Sequence, residues 1–205
     1  MCGIVAYIGK KNALPILLEG LQRLEYRGYD SAGVFIKSEM DERILRVADK
    51  VNELKSLCEK ENLESTYPFG MGHTRWATHG KPIEKNAHPH QSNNGELVMI
   101  HNGIIENYEV LKTELVTRGY TFYSDTDSEV LINLFEEIQK TKNVSLEEAV
   151  QIGLNRVVGA YGIVVFDKKN PSSLVVAKLG SPLSIGLGKD EFFIGSDATP
   201  FLEHT

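Results

Sequence analysis

The sequence predicts an α+β fold with antiparallel sheets. Strand patterns and paired helical patterns occupy separate blocks, and successive strands are joined by short connections rich in Gly, Pro, Asn and Asp. The regular strand–helix–strand alternation of a parallel sheet is missing. A chain of 205 residues can bury one good core, so we expect one domain over residues 1–205, with two small domains as the alternative.

The first half of the chain carries both strand and helix signals. Leucines at 14, 17, 18, 21 and 24 form the apolar stripe of a helix, which Asn12 caps and Gly28 ends. The polar turn 38–42 separates two strand-like runs and predicts a hairpin. The predicted elements are strand 2–9, this first helix, hairpin strands 32–36 and 44–47, helix 50–60 and strand 69–74.

The second half begins with a long stretch, 78–95, that has little pattern and is rich in Gly, His, Asn and Pro. Loops of this length are either disordered or functional. Two later helix starts have the spacing of a capping box, Thr126 with Glu129 and Ser145 with Glu148. The predicted elements are strand 97–101, helices 107–118, 126–141 and 145–157, and strands 162–166, 174–177, 183–186 and 192–195.

Bulk properties exclude several classes of protein. The net charge of −6 and the lack of clustered Lys and Arg argue against a nucleic-acid partner. No apolar run approaches the roughly 18 residues of a membrane span, and there is no signal peptide. We therefore expect no membrane contact and a cytoplasmic location, where Cys2 and Cys58 stay free thiols.

Cys2 has the most informative position in the sequence. Its small side chain suits removal of the initiator Met1, after which Cys2 carries both a thiol and a free α-amino group. An α-amino group titrates much closer to neutral pH than a lysine, and a thiol is the most easily activated side-chain nucleophile. Cys2 is therefore a candidate nucleophile with its own base. The alternative is an ordinary buried cysteine that opens a strand.

Two polar stretches of the first half carry more functional side chains than packing requires. Arg27, Asp30 and Ser31 lie where a helix meets a strand, and their simplest roles are backbone capping and mutual pairing. Arg75 and the only tryptophan, Trp76, lie at the mouth of the long loop. A guanidinium grips a carboxylate in two places, so Arg75 suits the α-carboxylate of an amino acid, with a structural salt bridge as the alternative.

A third group of candidate residues lies in the second half. Asn102 supplies an amide donor and Gly103 an approachable backbone N–H, and two such donors aimed at one point form an oxyanion hole. Asn-Gly is equally an ordinary hairpin-turn signal, and Ile104–Glu106 permit such a hairpin. Asp127 falls in the first turn of a predicted helix, where its carboxylate either suits the helix dipole or holds an ammonium group.

Histidines raise the question of a metal. Five of the six fall between His73 and His101. Spacings of this kind occur at metal sites, but no paired helical spacing and no second cysteine nearby complete a ligand set. We expect no metal.

Five motifs together resemble the glutaminase domain of the glutamine–fructose-6-phosphate aminotransferase (isomerizing) family, also called glucosamine-6-phosphate synthases. The motifs are Cys2–Val5, Arg23–Gly33, His73–Gly80, Asn86–His90 and His101–Asn107. Such domains belong to the class II, or N-terminal-nucleophile, glutamine amidotransferases, and the resemblance covers essentially the whole chain. It implies a four-layer αββα sandwich of two antiparallel sheets, with no cofactor.

The resemblance also implies a mechanism and a set of roles. The Cys2 thiolate attacks the side-chain amide of glutamine, its amino group acts as the base, and water hydrolyses the γ-glutamyl thioester to glutamate. The implied roles are oxyanion stabilisation by Asn102 and Gly103, binding of the glutamine α-carboxylate by Arg75 and of its α-ammonium by Asp127, completion of the pocket by Thr78 and His79, gating by Trp76, and unspecified support by Arg27.

In full-length members of this family, ammonia reaches fructose 6-phosphate in a C-terminal isomerase half, and the resemblance implies a homo-oligomer. No sugar-isomerase pattern follows residue 160, so we expect a fragment that hydrolyses glutamine but makes no amino sugar. Three alternatives remain. They are the glutaminase domain of phosphoribosylpyrophosphate amidotransferase or asparagine synthetase, an N-terminal-nucleophile amide hydrolase that transfers no ammonia, and a non-catalytic glutamine-sensing module.

Overall fold

A computed structural model describes residues 2–61, 63, 66–76 and 81–202 of the chain. The strands are β1 Gly3–Ile8, β2 Ser31–Lys37, β3 Glu42–Val47, β4 Phe69–Arg75, β5 His90–Gln91, β6 Leu97–Ile105, β7 Gly159–Asp167, β8 Leu174–Leu179, β9 Ser184–Gly188 and β10 Glu191–Gly195. The helices are α1 Ala13–Leu24, α2 Val51–Lys60, α3 Tyr108–Thr117, α4 Asp127–Lys142 and α5 Leu146–Leu154.

The predicted α+β class with antiparallel sheets is confirmed. The strands form one six-stranded and one four-stranded sheet, in which neighbouring strands run antiparallel. The chain divides into two compact units. The first comprises Met1–Ala77, Pro82–Pro89 and Pro182–Thr205, and the second comprises Thr78–Lys81 and His90–Ser181.

The first unit holds the six-stranded sheet in the order β3-β2-β4-β1-β10-β9. Helix α1 packs on β1 and β4, and α2 packs on β2 and β3. Helix α1 approaches β4 closely because glycines there carry no side chain. A Cβ atom on Gly70 would lie 2.7 Å from Leu17 Cδ1, and one on Gly72 would lie 2.9 Å from Leu21 Cδ1. The leucine stripe predicted for α1 is therefore the face that meets the sheet.

The second unit holds the four-stranded sheet in the order β5-β6-β7-β8. Helix α4 packs on β6 and is flanked by α3 and α5. Leu97, Met99 and Ile105 of β6 belong to the apolar cluster shared with these helices. Because side chains alternate along a strand, Asn102 projects from the opposite face of the sheet.

The structure departs from the sequence-based expectation at β6. The hairpin-turn alternative for Asn102-Gly103 is wrong, because both residues lie inside a strand and pair with Gly162 and Tyr161 of β7. Gly103 has φ +130°, a conformation that disfavours a side chain. A Cβ atom there would lie 2.0 Å from the Ala160 carbonyl oxygen. The residue pair that normally marks a turn here supplies a strand with one unusual peptide.

The long loop and the caps also differ in detail from expectation. Part of the stretch 81–95 is ordered as a short 3₁₀ helix, Glu84–Asn86, and as strand β5. The capping box of α5 forms as predicted, with Ser145 and Glu148 each accepting from the other's backbone. At α4, Thr126 accepts from the Glu129 N–H, but the Glu129 carboxylate accepts from Tyr123 and Ser124 instead of completing the box.

Among the residues described, no helix combines the length and apolarity needed to cross a bilayer.

The Gly103→Ala substitution tests whether the unusual backbone of β6 is required. We expect it to lower the free energy of unfolding by more than about 2 kcal/mol, because it adds both backbone strain and a clash. Gly95→Ala is the matched control, since Gly95 has φ +76° and a Cβ atom added there would meet no other atom within 4 Å. It should cost about 1 kcal/mol. If urea unfolding showed the same loss of unfolding free energy in both variants, the proposed clash at Gly103 would be contradicted.

Candidate active site

Pairing of β1 with β4 brings Cys2 beside the end of β4. Gly3 lies opposite Thr74, and the Gly3 N–H donates to Thr74 Oγ1 at 3.1 Å. Immediately beyond this pair, the Trp76 N–H donates to Cys2 Sγ at 3.1 Å, and the Cys2 thiol donates to the Trp76 carbonyl oxygen at 3.5 Å. The Cys2 side chain is partly exposed. Cys2 is therefore held by main-chain groups at a position that a ligand can reach.

The environment of the Cys2 sulfur acts on its ionisation in opposite directions. Burial raises the pKa of the thiol above its ordinary value, while the hydrogen bond from the Trp76 amide lowers it. The negative charge of Asp30 raises this pKa, and the positive charge of Arg75 lowers it. Cys58 contrasts with this site, since burial among apolar side chains raises its pKa to about 11. Cys2 is therefore the better placed of the two to react.

The Trp76 side chain rests against Gly28. Its ring is about half exposed, with 55% of its surface accessible. Gly28 has φ +118°, and a Cβ atom there would lie 2.3 Å from Trp76 Cε3. Only glycine therefore leaves room for the ring in this arrangement. The sequence pattern indicates only a helix end at Gly28 and carries no sign of this contact.

Arg75 is buried at the end of β4, where it lies opposite Ser31 of β2. Its Nη1 is 3.7 Å from Asp30 Oδ1, longer than a direct charge-assisted hydrogen bond. Asp30 also accepts from Ser31 Oγ at 2.9 Å, and its N–H donates to the Arg75 carbonyl at 2.8 Å. The structural salt bridge considered for Arg75 is thus present in a loose form.

Arg27 is held by a residue that the sequence did not single out. Its Nη1 donates to Asp197 Oδ2 at 3.1 Å, and the hydroxyl of Tyr26 donates to the same oxygen at 2.8 Å. Burial raises the pKa of Asp197, but hydrogen bonds from Thr199, Tyr26 and Arg27 outweigh it and leave the pKa below its ordinary value. Asp197 is 170 positions from Arg27, so no local pattern predicts the pair.

In the second unit, the first turn of α4 is fastened to β6. The buried carboxylate of Asp127 accepts from the Ile105 N–H through Oδ2 at 2.8 Å. One residue further along α4, the Ser128 hydroxyl lies 2.8 Å from His101 Nδ1. Ile105 and His101 flank Asn102 and Gly103 in β6. These two bonds therefore fix Asp127 relative to the candidate oxyanion residues.

His101 and His90 support this arrangement as buried side chains. Burial lowers the pKa of His101, which opposes the effects of the nearby Asp127 charge and the Ala160 backbone. A neutral imidazole can both accept and donate, so His101 suits a position between Ser128 and the backbone of β7. His90 Nε2 lies 3.2 Å from Thr126 Oγ1, at the cap of α4.

The structure thus groups the predicted residues within two units. Cys2, Arg27, Arg75 and Trp76 belong to the first, and Asn102, Gly103 and Asp127 belong to the second. Thr78 and His79 lie outside the described residues. Within residues 2–61, 63, 66–76 and 81–202, no three His, Cys, Asp or Glu side chains are grouped so as to hold a metal ion.

Comparisons with known proteins identify the family of this chain. Residues 58–205 match a family model described as a glutamine amidotransferase domain. Two relatives named glutamine–fructose-6-phosphate aminotransferase [isomerizing] come from Bacteroides thetaiotaomicron and Pyrococcus horikoshii, and they are 52% and 48% identical to this chain over its whole length. The chain covers 33% and 34% of those proteins, so it spans about a third of the length of the curated relatives it matches.

Solved structures show the same fold. The glutamine phosphoribosylpyrophosphate amidotransferase of B. subtilis, complexed with ADP and GMP, superposes with a TM-score of 0.82 at 26% identity. A structure described as the allosteric regulatory enzyme of purine biosynthesis gives a TM-score of 0.83, also at 26% identity. Each match covers 98% of this chain and 43% of the solved chain. The chain belongs to the glutamine amidotransferase domain family.

Proposed function

We propose that this chain is a glutaminase domain that hydrolyses glutamine to glutamate and ammonia, with Cys2 as the nucleophile. The observation that carries the proposal is the partly exposed Cys2 side chain, whose sulfur accepts a hydrogen bond from the Trp76 N–H at 3.1 Å. A donor aimed at the sulfur favours the thiolate, against the burial that raises the pKa of this thiol. Membership of the glutamine amidotransferase family gives that thiolate a substrate.

In the proposed reaction, removal of Met1 frees the α-amino group of Cys2, which accepts the thiol proton. The thiolate then attacks the carboxamide carbon of glutamine, and the tetrahedral intermediate collapses by breaking the C–N bond. The amino group returns the proton to the departing nitrogen, which leaves as ammonia. Water, deprotonated by the same amino group, hydrolyses the γ-glutamyl thioester and regenerates the thiol.

We further propose that Asn102 and Gly103 stabilise the oxyanion of both tetrahedral intermediates. The support is local to β6: a buried asparagine stands beside a glycine whose φ of +130° is unusual for a strand. Glycine is the usual residue where the backbone adopts such a conformation to approach a ligand closely. Preorganised donors of this kind cost little reorganisation during the reaction.

The α-carboxylate and α-ammonium groups of glutamine require binding partners of opposite charge. We propose that Arg75 binds the α-carboxylate and Asp127 the α-ammonium, because each is a buried charged side chain. The Asp127 carboxylate is held by the Ile105 N–H, and the Arg75 main-chain carbonyl accepts from the Asp30 N–H. Thr78 and His79 are proposed to complete the glutamine site, Trp76 to gate it, and Arg27 to support the nucleophile's strand through Asp197.

For the whole protein, we propose that residues 1–205 form one glutaminase domain and that its ammonia converts fructose 6-phosphate to glucosamine 6-phosphate in a C-terminal sugar-isomerase half. The support is the 52% identity to a relative named glutamine–fructose-6-phosphate aminotransferase [isomerizing], against 26% identity to the phosphoribosylpyrophosphate amidotransferase. We also propose a cytoplasmic homo-oligomer; the free thiols of Cys2 and Cys58 are consistent with a reducing compartment. Supplying fructose 6-phosphate to the full-length protein and measuring formation of glucosamine 6-phosphate tests this acceptor.

The role of Cys2 as the nucleophile is tested by measuring glutamate release from glutamine together with the intact mass of the protein. We expect the native chain to lack Met1 and to release glutamate, and Cys2→Ala to release none. Cys58→Ala is the matched control and should stay active, because its thiol is buried among apolar side chains. Glutamate release by Cys2→Ala at the native rate would refute the assignment of Cys2 as the nucleophile. A retained Met1 with glutamine binding but no turnover would instead indicate a sensing module.

The oxyanion role is tested with Asn102→Ala. Loss of one such donor typically removes about 2.7–4 kcal/mol of transition-state stabilisation, so we expect kcat to fall by roughly 100- to 1000-fold with little change in KM. Asn52→Ala is the control, since Asn52 lies exposed on α2. A rise in KM at unchanged kcat would show that Asn102 binds substrate rather than the oxyanion.

The ammonium role is tested with Asp127→Asn. A hydrogen bond to a charged group contributes about 1.5–3 kcal/mol, so KM for glutamine should rise by roughly 10- to 150-fold. Native enzyme should strongly prefer glutamine to Nα-acetylglutamine, which lacks the ammonium charge, and the variant should lose most of this preference. Asp125→Asn removes an exposed carboxylate nearby and should change neither value. An unaltered preference in Asp127→Asn would contradict the assignment.

A further inference from the structure

We infer that the main-chain N–H of Trp76 is a further catalytic group, which stabilises the Cys2 thiolate, and that Gly28 keeps it in position by seating the Trp76 ring. The inference rests on the proposed function and names an additional group at the same site. It differs from a gating role for the indole, because the acting atom is an amide nitrogen that touches the reacting sulfur.

The geometry around the sulfur changes with its ionisation. In the thiol form, Cys2 donates to the Trp76 carbonyl at 3.5 Å while accepting from the Trp76 N–H at 3.1 Å. Deprotonation removes the first interaction and strengthens the second, because an anionic sulfur is a better acceptor. A single residue therefore serves both ionisation states, and its N–H favours the thiolate.

The charged side chains near Cys2 oppose each other in their effect on its thiolate, so the Trp76 N–H remains important. The positive charge of the amino terminus lowers the pKa of Cys2, and the side chains of Asp30 and Arg75 act on this pKa with opposite signs. They also lie 3.7 Å from each other, so much of their field at a third point cancels. Burial meanwhile disfavours the thiolate. A fixed amide dipole at hydrogen-bond distance offsets part of that effect without introducing another charge.

We expect the lowered pKa of the Cys2 thiol to increase the reaction rate. Lowering a thiol pKa by one unit raises the thiolate fraction about tenfold while pKa lies above ambient pH, whereas the nucleophilicity of that thiolate falls only about threefold. The same N–H acts again during thioester hydrolysis, when sulfur departs as a thiolate. Both chemical steps therefore use the bond.

Gly28 provides the structural support. A Cβ atom at this position would lie 2.3, 2.9 and 3.0 Å from Cε3, Cδ2 and Cζ3 of Trp76, so the indole lies directly on the Gly28 main chain. The Gly28 N–H donates to the Glu25 carbonyl at 3.0 Å, and the Asp30 N–H donates to the Arg75 carbonyl at 2.8 Å. The turn that holds the ring is thus hydrogen-bonded on one side to its own helix end and on the other to β4.

The test compares Trp76→Pro with Trp76→Ala, both of which lack the ring. Only proline also lacks the N–H, and the preceding Arg75 is in extended strand, a conformation that a following proline favours. The rate of Cys2 alkylation by iodoacetamide is measured against pH, with peptide mapping to separate Cys2 from Cys58. We expect the midpoint pH of Trp76→Pro to lie about one unit above that of Trp76→Ala, roughly a tenfold lower rate at neutral pH. Equal midpoints would overturn the inference.

Gly28→Ala gives an independent arm that keeps both the ring and the N–H. We expect its midpoint to rise above the native value as the added methyl displaces the ring. Gly119→Ala is the matched control, because Gly119 also has positive φ, +92°, but has open space around it. A native midpoint in Gly28→Ala would overturn the seating role, and this arm alone decides if Trp76→Pro does not fold.

Alkylation requires no glutamine, so the two proposals fail separately. A shifted midpoint in a protein that releases no glutamate would leave the amide's effect on sulfur intact and refute the glutaminase. Glutamate release with equal midpoints in the proline and alanine variants would support the glutaminase and refute the role of the amide.

Discussion

Close packing of α1 on nearly bare backbone is the constraint on which the first unit depends. Along β4, glycines alternate with larger residues, so the face toward α1 is flat and the helix leucines reach main-chain atoms. The larger residues, including Arg75, project from the other face. Side chains at the glycine positions would push the helix away and loosen the β1–β4 pair that places Cys2 beside Trp76. Helix packing and the position of Cys2 thus share one cause.

Much of this fold was accessible from the sequence, because its elements carry strong local signals. The leucine stripe of α1, the hairpin of β2 and β3, and the cap at Ser145 each follow from a pattern within a few residues. The Asn102-Gly103 pair shows the limit of such reasoning. Taken alone it favours a turn, but the long ladder with β7 overrides that preference and keeps both residues in a strand.

The contacts that fix the candidate site are the part that sequence patterns could not supply. Asp197 meets Arg27 across 170 positions, and the Ile105 N–H meets the Asp127 carboxylate across 22. Backbone donors leave no trace in composition, and a glycine that seats an aromatic ring looks like any helix end. The family resemblance identified the candidate reactive residues, whereas only the three-dimensional structure shows what holds them in place.

The position of Trp76 gives the protein a built-in optical reporter. It is the only tryptophan of the chain, and its ring is half exposed, supported on a glycine, while its own amide is bonded to the Cys2 sulfur. All intrinsic indole emission therefore originates from the residue whose amide is bonded to the Cys2 sulfur.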